Sequence, residues 1–311
     1  MDFEREADQT NRRFAMREIT LQAKNRAELP GEAVFPESIG LDPSTGDAYV
    51  GSLADGTLYR LARDGEVEAW SPGEVDDRKS VAGVKVDSSG RLWAAGGYEG
   101  TLNVYDLANR SPVARMDVGG RPSCVNDIAF GPDGTAYVTD SLISLLFRVD
   151  AGSVTLRPWV DLAEQGVPWA EGLNFNGIVL TRDDRHLVAC QTNLGRFWQV
   201  ELDSGHVTEV ALNGGPLEHC DGIALAGSTL YVAVNARNYV ALVELADDGS
   251  SGTVTGALHS DDFAFPTSVA IRDGDLLVVN AQLDRMGGAP VLPFTVTVLA
   301  DPSEVREPEV G

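Results

Sequence analysis

Residues 220–225 read Cys220-Asp221-Gly222-Ile223-Ala224-Leu225, and residues 175–180 read Phe175-Asn176-Gly177-Ile178-Val179-Leu180. In both, an oxygen-bearing side chain stands two residues before an Ile that opens an apolar run. The same arrangement recurs at Glu37-Ser38-Ile39 and Asn126-Asp127-Ile128, and in apolar or hydroxyl form at Ala82-Gly83-Val84 and Thr267-Ser268-Val269. The six slots follow one another at intervals of 45, 44, 50, 45 and 46 residues. A repeat of this period, made of short strands, reads as the blades of a β-propeller.

The stretches between slots support that reading. Blade one would carry strands at 38–42, 48–52, 57–61 and 67–70. Asp42-Pro43-Ser44-Thr45-Gly46, Asp55-Gly56 and Asp64-Gly65 mark the turns between them. Blades two to five repeat the pattern. Blade six supplies only three strands of its own, ending in the run at 294–300. The alternating segment 17–23 lies before the first blade and has no local partner. It is expected to complete the last blade, which removes two exposed sheet edges. The fold class is therefore all-β: a six-bladed propeller over residues 16–311, closed by an N-terminal strand, with residues 1–15 as a polar arm. Two connectors, 162–174 and 283–292, are long enough to serve as rim or lid loops.

Composition narrows the function. The chain has 24 basic and 47 acidic residues, a net charge of −23, which argues against nucleic acid and anionic membrane as partners. No stretch is apolar enough to span a bilayer. The first two dozen residues have no uninterrupted apolar core, so a secretory signal is not expected. Cys124, Cys190 and Cys220 are too few for a disulfide framework. A cytoplasmic protein acting on a small molecule, as a monomer or weak homo-oligomer, is the expectation.

In a propeller the first strand of each blade lines the central channel, so side chains at one slot form a ring around the axis. Glu37, Asn126, Asn176 and Asp221 would converge there with two carboxylates and two amide oxygens. Buried carboxylates need a partner, and a divalent cation supplies one. An all-oxygen set without His or Cys favours a hard cation, calcium ahead of magnesium. Taken singly, Asn-Gly and Asp-Gly are ordinary turn dipeptides. The shared register is what makes them a set.

Pro36-Glu37-Ser38, Asn126-Asp127, Asn176-Gly177-Ile178 and Asp221-Gly222-Ile223 together resemble the senescence marker protein/gluconolactonase (regucalcin-like) family, related to diisopropyl fluorophosphatase. The resemblance covers about residues 30–300. It implies a calcium site held by Glu37, Asn126, Asn176 and Asp221, and a metal-dependent hydrolase of a lactone or ester. In that reading Asp221 is the base toward water, and Asn126 lies close enough to substrate to take a catalytic role. The sugar-lactonase members carry Arg-x-Asn-Asp in blade three. Here that segment is Cys124-Val125-Asn126-Asp127, so a simple sugar lactone is not the expected substrate. A cyclase, isomerase or lyase of specialised metabolites, or a non-catalytic calcium-binding protein, are the competing readings.

The ends of the second strands and the loops beyond should wall the pocket. The substrate-binding candidates are Tyr98, Cys124, Asp140, Trp169, Phe175, Asn193, Arg237 and Gln282, with Ser52, Ser141, Leu142, Ile143 and Asn235 nearby. His219 stands two residues before Asp221. If both lie on one strand they share a face, which makes His219 a candidate proton shuttle, against the commoner role of a surface or packing histidine.

Overall fold

The computed structural model describes residues 16–300. They form six sheets arranged as a six-bladed propeller, antiparallel throughout except for two short strands added parallel to the outer strand of blade five. The innermost strands are Pro36–Leu41, Gly83–Val86, Val125–Phe130, Phe175–Leu180, Cys220–Ala226 and Pro266–Arg272. Each begins at or next to one of the six slots. The apolar faces of successive blades pack on each other. One core, for example, joins Phe175, Ile178 and Leu187 of blade four to Ala129, Tyr137 and Leu146 of blade three.

The ring is closed by an N-terminal strand, but not by the segment expected. Ala23–Leu29 pairs antiparallel with Phe294–Leu299, from Ala23 opposite Leu299 to Leu29 opposite Phe294. It is the fourth strand of blade six. Residues Arg17–Thr20 instead run parallel to the outer strand of blade five, Arg17 opposite Gly256 and Thr20 opposite His259. The reason is where apolar weight sits. Ile19 and Leu21 are buried among Tyr231, Leu258, Phe263 and Val269, in the seam between blades five and six. Ala23–Leu29 has only small apolar residues besides Leu29, because an outermost strand meets solvent along most of its length, and only Leu29 is buried.

Blade four differs from expectation in the same way. Its last segment splits. Val207–Glu209 stays with blade four, while Ala211–Asn213 crosses to run parallel with Ser251–Thr253 of blade five. The expected polar arm, residues 1–15, lies outside the described residues, as does the end of the chain beyond 300. Among the described residues no helix is long and apolar enough to cross a membrane.

At five of the six slots the inner strand is irregular. Register shifts against the second strand fall between Pro36 and Ser38, Val125 and Ile128, Phe175 and Ile178, Cys220 and Ile223, and Pro266 and Ser268. These intervals contain Glu37, Asn126, Asn176, Asp221 and Thr267. A bulge re-aims a side chain that regular pleating would send elsewhere. Blade two pairs without a shift from Gly83 to Val86, and its slot holds only Ala82.

Because Leu29 is buried in the core shared by blades six and one, Leu29→Ala should destabilise the protein by about 2–5 kcal/mol, the usual cost of truncating a buried leucine. Thermal or urea denaturation measures it. A loss no larger than that of an exposed-strand substitution would show that this strand does not hold the ring.

Candidate functional site

The slot residues are held at the axis by contacts from blade to blade. At five of the six slots the next residue is either a glycine or accepts a hydrogen bond from the neighbouring blade. A Cβ on Gly177 would stand 2.6 Å from the carbonyl oxygen of Asp221, and one on Gly222 would stand 2.7 Å from that of Thr267. Gly83 lies against the carbonyl of Asn126 in the same way. In blades one and three the corresponding residues are Ser38 and Asp127. Ser38 Oγ accepts the Val84 amide at 2.7 Å, and Asp127 Oδ2 accepts the Ile178 amide at 3.1 Å. Each blade thus docks on the slot segment of the next.

The slot carbonyls are also tied down. Thr267 Oγ1 donates to Glu37 O at 2.6 Å, Thr139 Oγ1 to Asn176 O at 2.7 Å, and Cys190 Sγ to Asp221 O at 3.0 Å. With their backbones fixed, Glu37, Asn126, Asn176 and Asp221 all line one central cavity of about 360 Å³. All four are buried, at 3–7% exposure.

The hydrogen bonding leaves oxygens unmatched. Asn235 Nδ2 donates to Asp221 Oδ2 at 2.6 Å, but Asp221 Oδ1 is buried without a partner. Among the described residues none donates a hydrogen bond to the Glu37 carboxylate. Asn126 Nδ2 donates to Ser141 Oγ at 2.9 Å, which turns its carbonyl oxygen the other way. Burial pushes the Asp221 carboxyl up to about 7 against the pull of Asn235 and Asn176, with the charge of Asp127 adding to the rise. The Glu37 carboxyl is raised well above its ordinary range, chiefly by burial and then by the charges of Asp221 and Asp127. A cation is what two such carboxylates lack, and the donor set of two carboxylates and two amides fits a hard divalent ion. Among the described residues no three His, Cys, Asp or Glu side chains form a metal-holding group. The fit therefore depends on the two amide oxygens.

The rest of the wall is largely apolar: Leu53, Ala82, Leu173, Phe265, Leu283 and Met286 join Tyr98, Cys124, Thr192, Asn235 and Asp284. Among the described residues no lysine or arginine lines it. Tyr98 stands at 65% exposure on the rim. Cys124 faces the cavity, but burial and the neighbouring carboxylates push its thiol up, so it is a wall group and not a ready nucleophile. Both long connectors contribute, through Leu173 and through Leu283, Asp284 and Met286.

Several expected wall residues stand elsewhere. Asp140 Oδ1 accepts the amides of Cys124, Leu142 and Ile143 at 3.0, 2.8 and 2.9 Å. It clamps the loop behind the wall. Trp169 stacks on the fully buried Phe175, ring centroids 6.0 Å apart and planes 9° from parallel, so both are packing groups. Asn193 donates to Glu171 O, and Arg237 is an exposed residue paired with Glu218 at 3.4 Å. The Gln282 amide exchanges two hydrogen bonds with the Val291 backbone, each 2.8 Å, and so braces the loop that carries Met286. His219 precedes its strand in a left-handed turn, φ 68°, and is exposed. It does not share a strand face with Asp221. At this mouth the strand ends and loops turn these side chains onto neighbouring backbone, into packing or into solvent instead of into the cavity.

No protein-family model matches the sequence, and no curated protein matches it. Solved structures do match. A regucalcin from Agrobacterium tumefaciens, described as a calcium-binding protein, aligns over 91% of this chain and 97% of its own at 15% identity, TM-score 0.66. They share a fold. A gluconolactonase from Xanthomonas campestris aligns over 88% of this chain and 89% of its own at 16% identity, TM-score 0.62. A virginiamycin B lyase from Staphylococcus aureus aligns over 82% and 81% at 16% identity, TM-score 0.62. Regucalcin and gluconolactonase, the relatives that the slot motifs resemble, are thus among the structural neighbours. At such identities the likeness establishes the propeller.

The raised carboxyl of Asp221 has a sign that can be measured. In cation-free protein it titrates near 7, against an ordinary 3.8. The folded state then holds a proton that the unfolded chain has released. Stability from this group is full below about pH 4 and is lost as the pH rises to about 7. Thermal denaturation in chelator should show the melting temperature falling across that window, with a shallower fall in Asp221→Asn. An identical fall in the variant would mean that the carboxyl is not buried as described.

Proposed function

We propose that this chain is a divalent-cation-dependent hydrolase of a lactone or ester, with calcium as the ion, working in the central cavity. The observation that carries the reading is the buried, partnerless Asp221 Oδ1 beside the Glu37 carboxylate in an accessible cavity. Glu37, Asn126, Asn176 and Asp221 would hold the ion. When bound, the cation would draw charge from a carbonyl oxygen and stabilise the oxyanion that develops there.

The remaining work falls to side chains. Asn235 donates to Asp221 Oδ2 and fixes the carboxylate, which would hold the ion through Oδ1 and accept a proton from water on a remaining lone pair, the role of a general base. Ser141 orients the Asn126 amide, so that its oxygen is presented in one direction. Leu53, Leu173, Phe265, Leu283 and Met286 would receive the apolar part of a substrate and keep bulk water out. A wall without lysine or arginine suits an apolar lactone or aryl ester better than an acidic or polyhydroxylated sugar lactone.

The second reading is a lyase or isomerase on the same residues. It is favoured by the same apolar wall, and a virginiamycin B lyase is among the structures that share the fold. The two differ in mass balance, since hydrolysis adds one water to the product.

A panel of sugar lactones, aliphatic lactones and aryl esters should show turnover of the apolar members with calcium. Chelator should remove it, and Asp221→Ala should lower it by about 10²-fold or more, the usual weight of a positioned base. Turnover that survives both treatments would overturn the proposal. Conversion without gain of water would select the lyase or isomerase reading.

A further inference from the structure

Below the cavity the channel holds one more charge pair, which the proposed chemistry does not use. Lys85 lies on the inner strand of blade two, whose slot carries only Ala82. Its Nζ reaches Asp127 Oδ1 at 3.1 Å, and the Asp127 side chain is 7% exposed. Lys85 also lines the opening at the opposite mouth, a space of about 270 Å³ walled by Leu41, Ile128, Phe130, Ile178 and Leu225. The ammonium therefore enters the axis from below, along an apolar sleeve, and meets a carboxylate one residue away from Asn126.

Asp127 is not free to leave. Its other oxygen accepts the Ile178 amide, and its own amide donates to Thr139 Oγ1 at 3.0 Å. It stands close enough for its charge to act on both Glu37 and Asp221, and the charge of Lys85 acts on Glu37 in the opposite sense. The buried axial cluster contains three carboxylates, Glu37, Asp127 and Asp221, while Asp284 of the cavity wall is exposed to solvent, and Lys85 supplies one opposing positive charge. With these groups ionised the formal sum is −2, which one divalent cation cancels.

We propose that Lys85 sets the valence of the cation site: by cancelling Asp127 it leaves Glu37 and Asp221 a residual charge that matches one divalent ion and disfavours a trivalent one. This rests on the cation-site reading above. Lys85 is a positioning residue for charge and touches neither ion nor substrate. The effect of removing it grows with the charge of the bound ion, because Coulomb energy is proportional to that charge. A trivalent lanthanide should gain more from Lys85→Met than calcium does.

The test is calorimetric titration of calcium and of terbium into four proteins: the unsubstituted chain, Lys85→Met, Asp127→Asn and the double variant. Lys85→Gln serves as a second single variant that retains a polar head, and melting curves in chelator check that each protein folds. Calcium should bind roughly tenfold more tightly to Lys85→Met, with a larger gain for terbium, and roughly tenfold more weakly to Asp127→Asn. The double variant restores the sum of −2 and should return close to the affinity of the unsubstituted chain. A structural role for the pair predicts instead that both single changes weaken binding and the double does not recover. That outcome, or an unchanged terbium preference in Lys85→Met and Lys85→Gln, would overturn the proposal. Failure of the unsubstituted chain to bind either ion would overturn the cation reading itself, and the role of Lys85 with it.

Discussion

Six inner strands meeting at an axis must pack backbone against backbone, and that close approach governs the residues next to the slots. At Gly83, Gly177 and Gly222 the carbonyl of the next blade occupies the space a side chain would need. At Ser38 and Asp127 a side-chain oxygen takes the neighbouring amide instead. Both solutions satisfy or shield backbone groups where one blade meets the next. The Gly in Asn-Gly and Asp-Gly is thus required for packing, while the residue before it is free to carry chemistry.

The candidate site follows from that division. Bulges at five blades direct Glu37, Asn126, Asn176, Asp221 and Thr267 out of register, and ties from Thr267, Thr139 and Cys190 fix the carbonyls behind three of them. Rigidity comes from the backbone, so the polar side chains can remain unsatisfied without the structure relaxing to satisfy them. An unpaired carboxylate oxygen in such a place carries a free-energy cost. It persists because the surrounding ring is stable enough to tolerate it, a pattern typical of binding sites.

The propeller was legible in the sequence because the slot spacing is a long-range regularity that no single strand has to carry. That Glu37, Asn126, Asn176 and Asp221 meet at one cavity was legible for the same reason. What escaped was local. Leu53, Leu173, Phe265, Leu283 and Met286 line the cavity from loops, where apolar residues have no period to betray them; only the lengths of the 162–174 and 283–292 connectors hinted at two of these segments. Asp140 and Gln282 looked like wall residues because they stand at second-strand ends and in the loops beyond, yet the loop geometry turns both onto backbone groups. His219 was misplaced because it is itself left-handed, so the strand begins only after it, at Cys220. The closing strand was misread because its polar outer face shows no alternation, while the apolar residues just before it serve a different blade.

Blade six is assembled from both ends of the chain, Ala23 beside Leu299. During synthesis on a ribosome, five blades can stack in order as they emerge, but the ring has an open seam until the final strand is made. Ala23–Leu29 must therefore wait without its partner until Phe294–Leu299 has been made. Pairing this remote in sequence makes closure a late and slow step, and for that interval the exposed edges of the half-built blade are the part of the nascent chain most open to pairing with a stranger.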